Sequence, residues 1–454
     1  MQKNDLFTVT VEDLNNLGYG VAKVQGKTVF VGGAVDGDRA KIRMISVNKT
    51  YAVARTEQIL VPSPYRQEGF CSAKGCGGCA FRHVTYEHEK VLKANYVRYA
   101  FIKAGLPKAK VFPVLSADKT MHYRNKAQYA VGKDKDGNPT AGFFAPKSHR
   151  LISAVHCPLQ DDFFAPVLET LLEFMKRYDV PPYEEENQTG LVRHFYFRAS
   201  RKEDVLLTIV INGNTIPHKK ELQKVLQEKH PKVIGCLLNV QTENTNVICS
   251  EEYVPLFGQT FLEDTLCGVT LRIAPGSFYQ VNHDAAELLY KKAAVLAGLT
   301  GNEFMLDLYC GVGSIGLSMA KKVRKLVGVE IVPEAVRCAR ENAARNGITH
   351  ASFYCADAKD VPSLFEEATA GGKDIPDIVV LDPPRKGCDE ALLSYLANTV
   401  NPAKILYISC NPDTLARDAK MLIDCGYGMS GVFPVDLFPR TGHVENVTLL
   451  TKTK

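Results

Sequence analysis

The sequence predicts an α/β multidomain protein: an amino-terminal OB-like β-barrel, a central α+β domain and a carboxy-terminal Rossmann-like domain. Three observations along the 454 residues predict this order. Short strands with glycine turns fill residues 6–60, strand and helix patterns mix from Gly69 to about Pro275, and helices then alternate with strands. The length suits two to four domains at roughly 150 residues each. We place the domain limits at 1–60, 61–274 and 275–454.

The barrel is predicted from five strand-like segments, LFTVTVEDL, GYGVAKV, KTVFVGG, DRAKIRMISV and YAVARTEQIL. Their period near two and the closely spaced turns are typical of a small barrel. Its second half carries Arg39, Lys41, Arg43, Lys49 and Arg55. These cations favour an RNA-binding module, although surface lysines also serve solubility alone. The prolines of VPSPYRQ indicate a linker after the barrel.

The central region contains a predicted hairpin, KAQYAVGKDKDGNPTAGFFA, in which Asp136 and Gly137 supply the turn. Residues 90–150 hold thirteen Lys or Arg against three Asp, whereas the net charge of the whole chain is only +5. Several aromatic residues are interleaved with these cations: Tyr96, Tyr99, Tyr123, Tyr129, Phe143 and Phe144. Cations and aromatic rings together suit a phosphate backbone with unstacked bases. A solvated basic face is an equally good interpretation of the charge alone.

The cysteines indicate a metal site more than disulfides, because thirteen is an odd number spread over a large chain. Cys71, Cys76 and Cys79 have the spacing C-x4-C-x2-C, with glycines between them. Zinc accepts four such thiolates, and a ferredoxin-type iron–sulfur centre uses the same spacing. Both choices require a fourth ligand from elsewhere in the chain.

The carboxy-terminal domain is predicted from a regular series of elements. A helix over AAELLYKKAAVLAGL precedes strand FMLDLYC, a helix after Gly316, strand KLVGVE, helix PEAVRCARENAARNG and strands DIVVLD and KILYISC. Such alternation indicates a parallel sheet with helical crossovers. DLYCGVGSIGL places Gly311, Gly313 and Gly316 in G-x-G-x-x-G spacing after a strand, and Glu330 ends the next strand. This pattern predicts a nucleotide-like ligand over the glycine loop, either NAD or S-adenosylmethionine.

Reactive groups follow the later strands. Asp382, in LDPPRKG, stands at a strand's carboxyl end, where Arg385 replaces the aromatic residue of amino-methylating enzymes. Cys410, in ISCNP, has the same position on the next strand. Taken alone it is more often a packing residue than a nucleophile. Glu445, in HVENV, precedes a strand-like run and by itself is a weak signal.

These four motifs, DLYCGVGSIGL, LDPPRKG, ISCNP and HVENV, resemble in this order the RNA 5-methyluridine methyltransferases of the RumA and TrmA type. The amino-terminal segment resembles the TRAM domain of the members that act on 23S ribosomal RNA. The central cysteines also fit those members, so the resemblance implies a 4Fe-4S cluster held by Cys71, Cys76, Cys79 and Cys157, the last in a Cys-Pro context. Transfer RNA members generally lack both additions, so the implied partner is 23S ribosomal RNA.

The resemblance also implies the chemistry. Cys410 attacks C6 of uracil and makes C5 nucleophilic, C5 accepts the methyl group of S-adenosylmethionine, and Glu445 removes the C5 proton. Asp382 and Gln280, in GSFYQVN, hold the uracil edge and the amino-acid end of the cofactor. The remaining implied cofactor residues are Tyr309, Gly311, Gly313, Ser314, Glu330 and Asp357. Reaching a base atom requires an unstacked or extruded uridine.

Three other functions stay open at this point: a transfer RNA 5-methyluridine methyltransferase, a noncatalytic RNA-binding assembly factor, and a cysteine-dependent cytosine methyltransferase. No apolar run approaches the roughly 18 residues of a membrane span. The amino terminus has no apolar export signal. We therefore expect a cytoplasmic protein without membrane contact, and a monomer as in the family.

Overall fold

The structure is a computed structural model that describes residues 1–360 and 374–453. Its amino-terminal sheet contains six strands: β1 (Leu6–Thr10), β2 (Asp13–Leu14), β3 (Tyr19–Val24), β4 (Lys27–Gly32), β5 (Arg39–Val47) and β6 (Tyr51–Val61). Their order across the sheet is β1-β5-β6-β4-β3-β2. Alternate residues face one core, as in β4, where Val29 and Val31 are fully buried. The five predicted segments are confirmed, except that the first is split into β1 and β2.

The central sheet has seven strands: β8 (Lys126–Lys133), β9 (Pro139–Phe144), β10 (Leu151–Ser153), β11 (Val192–Ala199), β12 (Val205–Ile211), β13 (Val233–Val240) and β14 (Tyr253–Gly258). Helices α2 (Phe164–Arg177) and α3 (Lys219–Lys229) contribute to the same core. The predicted hairpin is confirmed as β8 and β9, with Gly137 at φ +82° in its turn. A separate hairpin, β15 (Leu262–Leu266) with β16 (Val269–Ile273), follows.

The carboxy-terminal sheet has eight strands: β7 (Leu115–Ser116), β17 (Phe304–Leu308), β18 (Lys325–Glu330), β19 (Ala351–Cys355), β20 (Ile378–Leu381), β21 (Lys404–Ser409), β22 (Tyr427–Asp436) and β23 (Glu445–Lys452). The order is β19-β18-β17-β20-β21-β23-β22-β7. Five neighbouring strands, β17 to β21, are parallel, as predicted. β23 instead runs antiparallel to both β21 and β22. The predicted parallel sheet is thus confirmed for β17 to β21. β22 and β23 extend it as an antiparallel pair, because the short segment 437–444 between them cannot make a crossover connection.

The described helices of this part are α1 (Tyr86–Lys103), α4 (His283–Ala297), α5 (Ser314–Met319), α6 (Pro333–Arg345), α7 (Glu390–Tyr395) and α8 (Pro412–Asp424). Helical turns cover Ala320–Lys322, Ala358–Asp360 and Leu396–Val400. The helix expected after Gly316 begins two residues earlier and includes that glycine. The reason is packing: the Gly316 N–H donates to Asp307 Oδ2 of β17 at 2.9 Å, and a Cβ there would lie 2.7 Å from the same oxygen.

Helix α1 packs on the carboxy-terminal sheet although it lies far from that sheet in the chain. Its Val97, Ala100 and Phe101 share a core with Leu415 of α8 and Val432 of β22. This core therefore includes a segment from within 61–274. The domain limits at residues 60 and 274 stay predictions. Among the described residues, no helix is both long and apolar enough to cross a membrane.

Candidate active site

Cys410 and Glu445 lie at adjacent strand ends. Cys410 directly follows β21, and Glu445 is the first residue of β23. Ser409 pairs with Asn446 across the two antiparallel strands. Continuing this register by one step sets Cys410 opposite Glu445, and opposite residues of an antiparallel pair present their side chains on the same face. The fold thus brings a thiol and a carboxyl together from distant parts of the chain.

Asp382 joins them from the next strand. It follows β20, which is hydrogen-bonded to β21, and Arg385 stands three residues further on. The Asn411 side chain donates from Nδ2 to the Arg385 carbonyl at 2.9 Å and accepts from the Asp413 N–H at 3.1 Å. This amide therefore fixes the Arg385 loop to the start of α8, beside Cys410.

Burial controls the proton affinities of these groups. It raises the pKa of Glu445 to about 8, a shift that Asp382 increases and Arg385 opposes. It raises the pKa of Asp382 to about 7. The pKa of the Cys410 thiol is about 11, raised first by burial and then by Glu445 and Asp382, while Arg385 lowers it. The free protein therefore holds a protonated thiol beside two carboxyls that are well matched to proton transfer near neutral pH.

The glycine loop follows β17 and leads into α5. Gly311 and Gly313 adopt φ +56° and +82°, and Tyr309 also has a positive φ of +63°. A Cβ built on Gly311 meets nothing within 4 Å, so the loop borders open space at that point. Glu330, at the end of β18, accepts from the N–H groups of Gly311 at 3.1 Å and Val332 at 2.9 Å. Glu330, the residue predicted to contact the ribose of the ligand, thus also fixes the conformation of the glycine loop.

Several predicted cofactor residues surround Tyr290 of α4. The Tyr290 hydroxyl lies 3.0 Å from Ser314 Oγ. A hydrogen bond from Gln280 and the nearby Asp382 carboxylate also influence the pKa of Tyr290, which burial raises. Asp357 is close enough to Tyr309 to raise the pKa of its hydroxyl, after burial and Cys388. Gln280, Ser314 and Asp382 therefore all lie near Tyr290, and Asp357 lies near Tyr309.

One buried carboxyl oxygen, on Asp307 of β17, lacks a hydrogen-bond partner among the described residues. Asp307 Oδ2 accepts from Gly316, but Oδ1 is buried with no hydrogen-bond partner among the described residues. Burial raises the pKa of Asp307 to about 8. An unpartnered carboxyl oxygen below a glycine loop that borders open space fits a polar ligand such as a cofactor.

The four cysteines predicted to hold a metal lie near one another, in a part of the molecule separate from the residues around Cys410. Cys71, Cys76, Cys79 and Cys157 are half-buried free thiols. The pKa of Cys79 is raised to about 12, first by burial and then by Cys157, Cys76 and Cys71. The thiols thus share one neighbourhood, although Cys157 is remote in sequence. Within residues 1–360 and 374–453, no three His, Cys, Asp or Glu side chains are arranged to hold a metal ion. The cluster stays a prediction.

The predicted RNA-facing stretch, residues 90–150, divides between surface and core. Tyr123 and Tyr129 are buried, and Lys93 is fully buried in an ion pair, so these three cannot contact a base or phosphate. Tyr99 is 58% exposed and available for stacking. The expectation that this stretch faces RNA was therefore wrong at Lys93, Tyr123 and Tyr129, since the spacing of cations and rings along the chain does not distinguish buried from exposed positions.

Three site residues were missed from the sequence. Arg385 was noted only as the replacement of an aromatic residue, although its place in LDPPRKG already put it beside Asp382. Tyr290 gave no signal, because it lies within an ordinary amphipathic helix. Phe278, two residues before Gln280 in the chain, is 64% exposed, and an exposed aromatic ring can stack on a base.

Two family models match the chain. One described as tRNA (Uracil-5-)-methyltransferase matches residues 85–453. The other, described as TRAM domain, matches residues 2–56. Together they span both the barrel and the sheet that carries the candidate site.

Individual proteins are similar over the same length. An uncharacterized RNA methyltransferase of Bacillus cereus is 37% identical over 458 residues, covering 100% of this chain and 98% of that protein. Another from Halalkalibacterium halodurans is 37% identical over 454 residues, with 99% and 98% covered. The crystal structure of Pyrococcus abyssi tRNA (uracil-54, C5)-methyltransferase in complex with S-adenosyl-L-homocysteine superposes with a TM-score of 0.78 at 26% identity, covering 98% of this chain and 100% of that one.

Proposed function

Since the chain belongs to the tRNA (uracil-5-)-methyltransferase family, as its four motifs predicted, we propose that it methylates C5 of uridine in 23S ribosomal RNA. The observation that carries this proposal is the meeting of Cys410, Glu445 and Asp382 at neighbouring strand ends. A nucleophile paired with a base in one cleft has no use in a protein that only binds RNA. The same motifs favour a uracil target over cytosine, which would need a site for an exocyclic amine.

In this proposal the sulfur of Cys410 bonds to C6 of the uracil, and the resulting enolate makes C5 nucleophilic. Arg385 favours the thiolate, since its charge lowers the pKa of Cys410. Bound S-adenosylmethionine supplies the methyl group that C5 accepts. Glu445 then removes the C5 proton, and the C6–sulfur bond breaks. Asp382, half-buried beside both groups, holds the uracil edge.

The cofactor residues are proposed on the geometry of the glycine loop. Gly311 and Gly313 would leave room for the bound molecule, Glu330 would face its ribose, and Gln280, Tyr309, Ser314 and Asp357 would line the rest of its pocket. The open space at Gly311 and the unpartnered Asp307 Oδ1 support this fit. The Pyrococcus abyssi enzyme, which was crystallised in complex with S-adenosyl-L-homocysteine, supports the choice of S-adenosylmethionine.

Transfer RNA is the second candidate substrate, because the Pyrococcus abyssi enzyme named for it superposes along its full length. The TRAM domain does not separate the two substrates, because that superposition covers 98% of this chain and so includes the barrel. The proposal of 23S ribosomal RNA rests on the resemblance of the four cysteines to the members that act on that RNA. The test is incubation of the enzyme with labelled S-adenosylmethionine and, in separate reactions, unmodified 23S ribosomal RNA or unmodified transfer RNA. The Cys410→Ala variant is the control. Transfer to 23S ribosomal RNA supports the proposal; transfer to transfer RNA alone would replace the substrate. We expect a monomer that acts in the cytoplasm, where both RNAs are found.

We also propose that Cys71, Cys76, Cys79 and Cys157 hold a 4Fe-4S cluster. Four thiols in one neighbourhood are the donor set that such a centre requires. The methylation scheme needs no electron transfer, so the cluster would order the segment around the cysteines. Iron and sulfide analysis of protein purified without oxygen tests this, with Cys76→Ser expected to lose both. Zinc in their place would contradict the proposal.

A further inference from the structure

The residues that precede Glu445 form the segment 437–444 between β22 and β23, called here the Glu445 loop. Side chains of helix α1 form hydrogen bonds with the first half of this loop. Lys93 Nζ donates to the Phe438 carbonyl at 3.1 Å and to the carboxylates of Glu89 at 2.7 Å and Asp436 at 2.8 Å. Glu89 also accepts from the Arg440 N–H at 2.7 Å. Lys93, Glu89 and Asp436 are all fully or almost fully buried.

Further bonds fix the same half of the loop. The Phe81 N–H donates to the Arg440 carbonyl at 3.1 Å, and the Tyr123 hydroxyl donates to the Pro439 carbonyl at 2.9 Å. Asn282 donates to the Leu437 carbonyl at 3.2 Å. Buried bonds of this kind are expensive to break. The loop is therefore anchored up to Arg440.

Its second half meets the TRAM barrel. A Cβ built on Gly442 would overlap the carbonyl oxygen of Asn16, in the turn between β2 and β3. The turn is itself well defined, because Asn15 Oδ1 accepts from the N–H groups of Leu17 at 3.0 Å and Tyr19 at 2.9 Å. On its other side, a Cβ on Gly18 would overlap the carbonyl oxygen of Ala80. The turn thus fits tightly between the Glu445 loop and the segment that follows the cysteines.

We propose that the barrel turn Asn15–Gly18 is a positioning element for Glu445, so that the TRAM domain contributes to proton removal and not only to RNA binding. The loop is fixed at Arg440 and again at Glu445, where β23 begins and pairs with Val435. A displacement at Gly442 must therefore fall on the few residues that join these points. The inference rests on the proposed role of Glu445 as the base.

The affected step gives a specific readout. The C5 proton passes to the Glu445 carboxylate, its electron pair forms the C5–C6 double bond, and the C6–sulfur bond breaks so that Cys410 leaves as a thiolate. If Glu445 is displaced, addition and methylation still occur but elimination is slow. Methylated RNA then stays attached to Cys410, and the protein–RNA adduct survives on a denaturing gel. Loss of folding or of RNA affinity would lower the amount of adduct instead.

The test compares Gly442→Ala with Gly32→Ala in the full-length enzyme, using labelled 23S ribosomal RNA and S-adenosylmethionine. Gly32 is the matched control, because the nearest atom to its Cβ would be 3.6 Å away. Neither glycine has a positive φ, so the substitution itself adds no backbone strain. We expect Gly442→Ala to release product roughly tenfold to a hundredfold more slowly, with adduct accumulating and RNA affinity unchanged. Gly32→Ala should behave as wild type.

Glu445→Gln separates the inference from the proposed function on which it rests. If Glu445→Gln gives no adduct, the base role itself is wrong. If Glu445→Gln accumulates adduct and Gly442→Ala does not, the positioning role is overturned. Should Gly442→Ala fail to fold, Asn15→Ala decides by the same readout, since it loosens the turn without adding an atom to the loop.

Discussion

Glu445 owes its raised pKa, about 8, first to burial and then to the Asp382 carboxylate. A carboxyl with a raised pKa is neutral below that pKa and becomes a base only above it. We therefore expect the rate of adduct breakdown to rise with pH and to level off above about pH 8. Rapid-quench measurements of adduct lifetime at several pH values test this. A rate that is flat between pH 6 and pH 9 would contradict the role of Glu445.

Arg385 acts on the thiol in the opposite direction to the carboxyls, because its positive charge lowers the pKa of Cys410. Arg385→Gln should therefore raise that pKa above its present value of about 11 and slow alkylation of Cys410. Peptide mass spectrometry can follow iodoacetamide labelling of Cys410 separately from the other twelve cysteines. Lys386→Gln, at the next residue, is the matched control. Equal labelling of the two variants would show that Arg385 does not face the thiol.

At the scale of elements, the sequence predicted correctly those strands, turns and helices whose signals lie within one continuous stretch of residues. DLYCGVGSIGL specifies a strand, a glycine turn and a helix within one short stretch, so both the loop and its position after β17 could be predicted. The antiparallel direction of β23 could not, because it depends on a neighbour that is distant in the chain. The pairing of Ser409 with Asn446 places Glu445 beside Cys410, and nothing in HVENV alone indicates that partner.

The glycine loop gives an element-scale prediction. A Cβ on Gly316 would lie 2.7 Å from Asp307 Oδ2 and 3.0 Å from Leu326 Cδ1, so α5 would have to move away from β17. We expect Gly316→Ala to weaken binding of S-adenosyl-L-homocysteine by about tenfold or more. Calorimetric titration measures this, with Gly32→Ala as the control. Unchanged affinity would place the cofactor away from this loop.

At the scale of the whole molecule, the contacts that hold the domains together were invisible to sequence patterns. Lys93 was predicted as part of an RNA-facing basic stretch, yet it bonds to Asp436, which lies 343 residues away. Likewise, the close approach of Gly442 to Asn16 joins opposite ends of the chain. Composition and spacing describe local structure, whereas such contacts exist only once the barrel, α1 and the carboxy-terminal sheet have assembled.

The buried ion network predicts a large loss of stability. Lys93→Met would leave Asp436 buried without its cation and Glu89 with Arg440 alone at 3.7 Å, which costs about 3–5 kcal/mol of unfolding free energy. Lys90→Met is the matched control on the same helix, since Lys90 pairs with the exposed Glu87 and lies over the Tyr86 ring, and it should cost less than about 1 kcal/mol. Urea unfolding measures both. Similar losses for the two variants would contradict the importance of the network.

The central claim, covalent catalysis by Cys410 at a uracil, is tested most directly by trapping the adduct. In 23S ribosomal RNA containing 5-fluorouridine, fluorine replaces the C5 proton that Glu445 removes, so elimination cannot occur. After incubation with S-adenosylmethionine and digestion, mass spectrometry identifies the peptide that carries the nucleotide. We predict a methylated fluorouridine on the peptide that contains Cys410, and none with Cys410→Ala. An adduct on another residue, or methylation of ordinary RNA by Cys410→Ala, would contradict the mechanism.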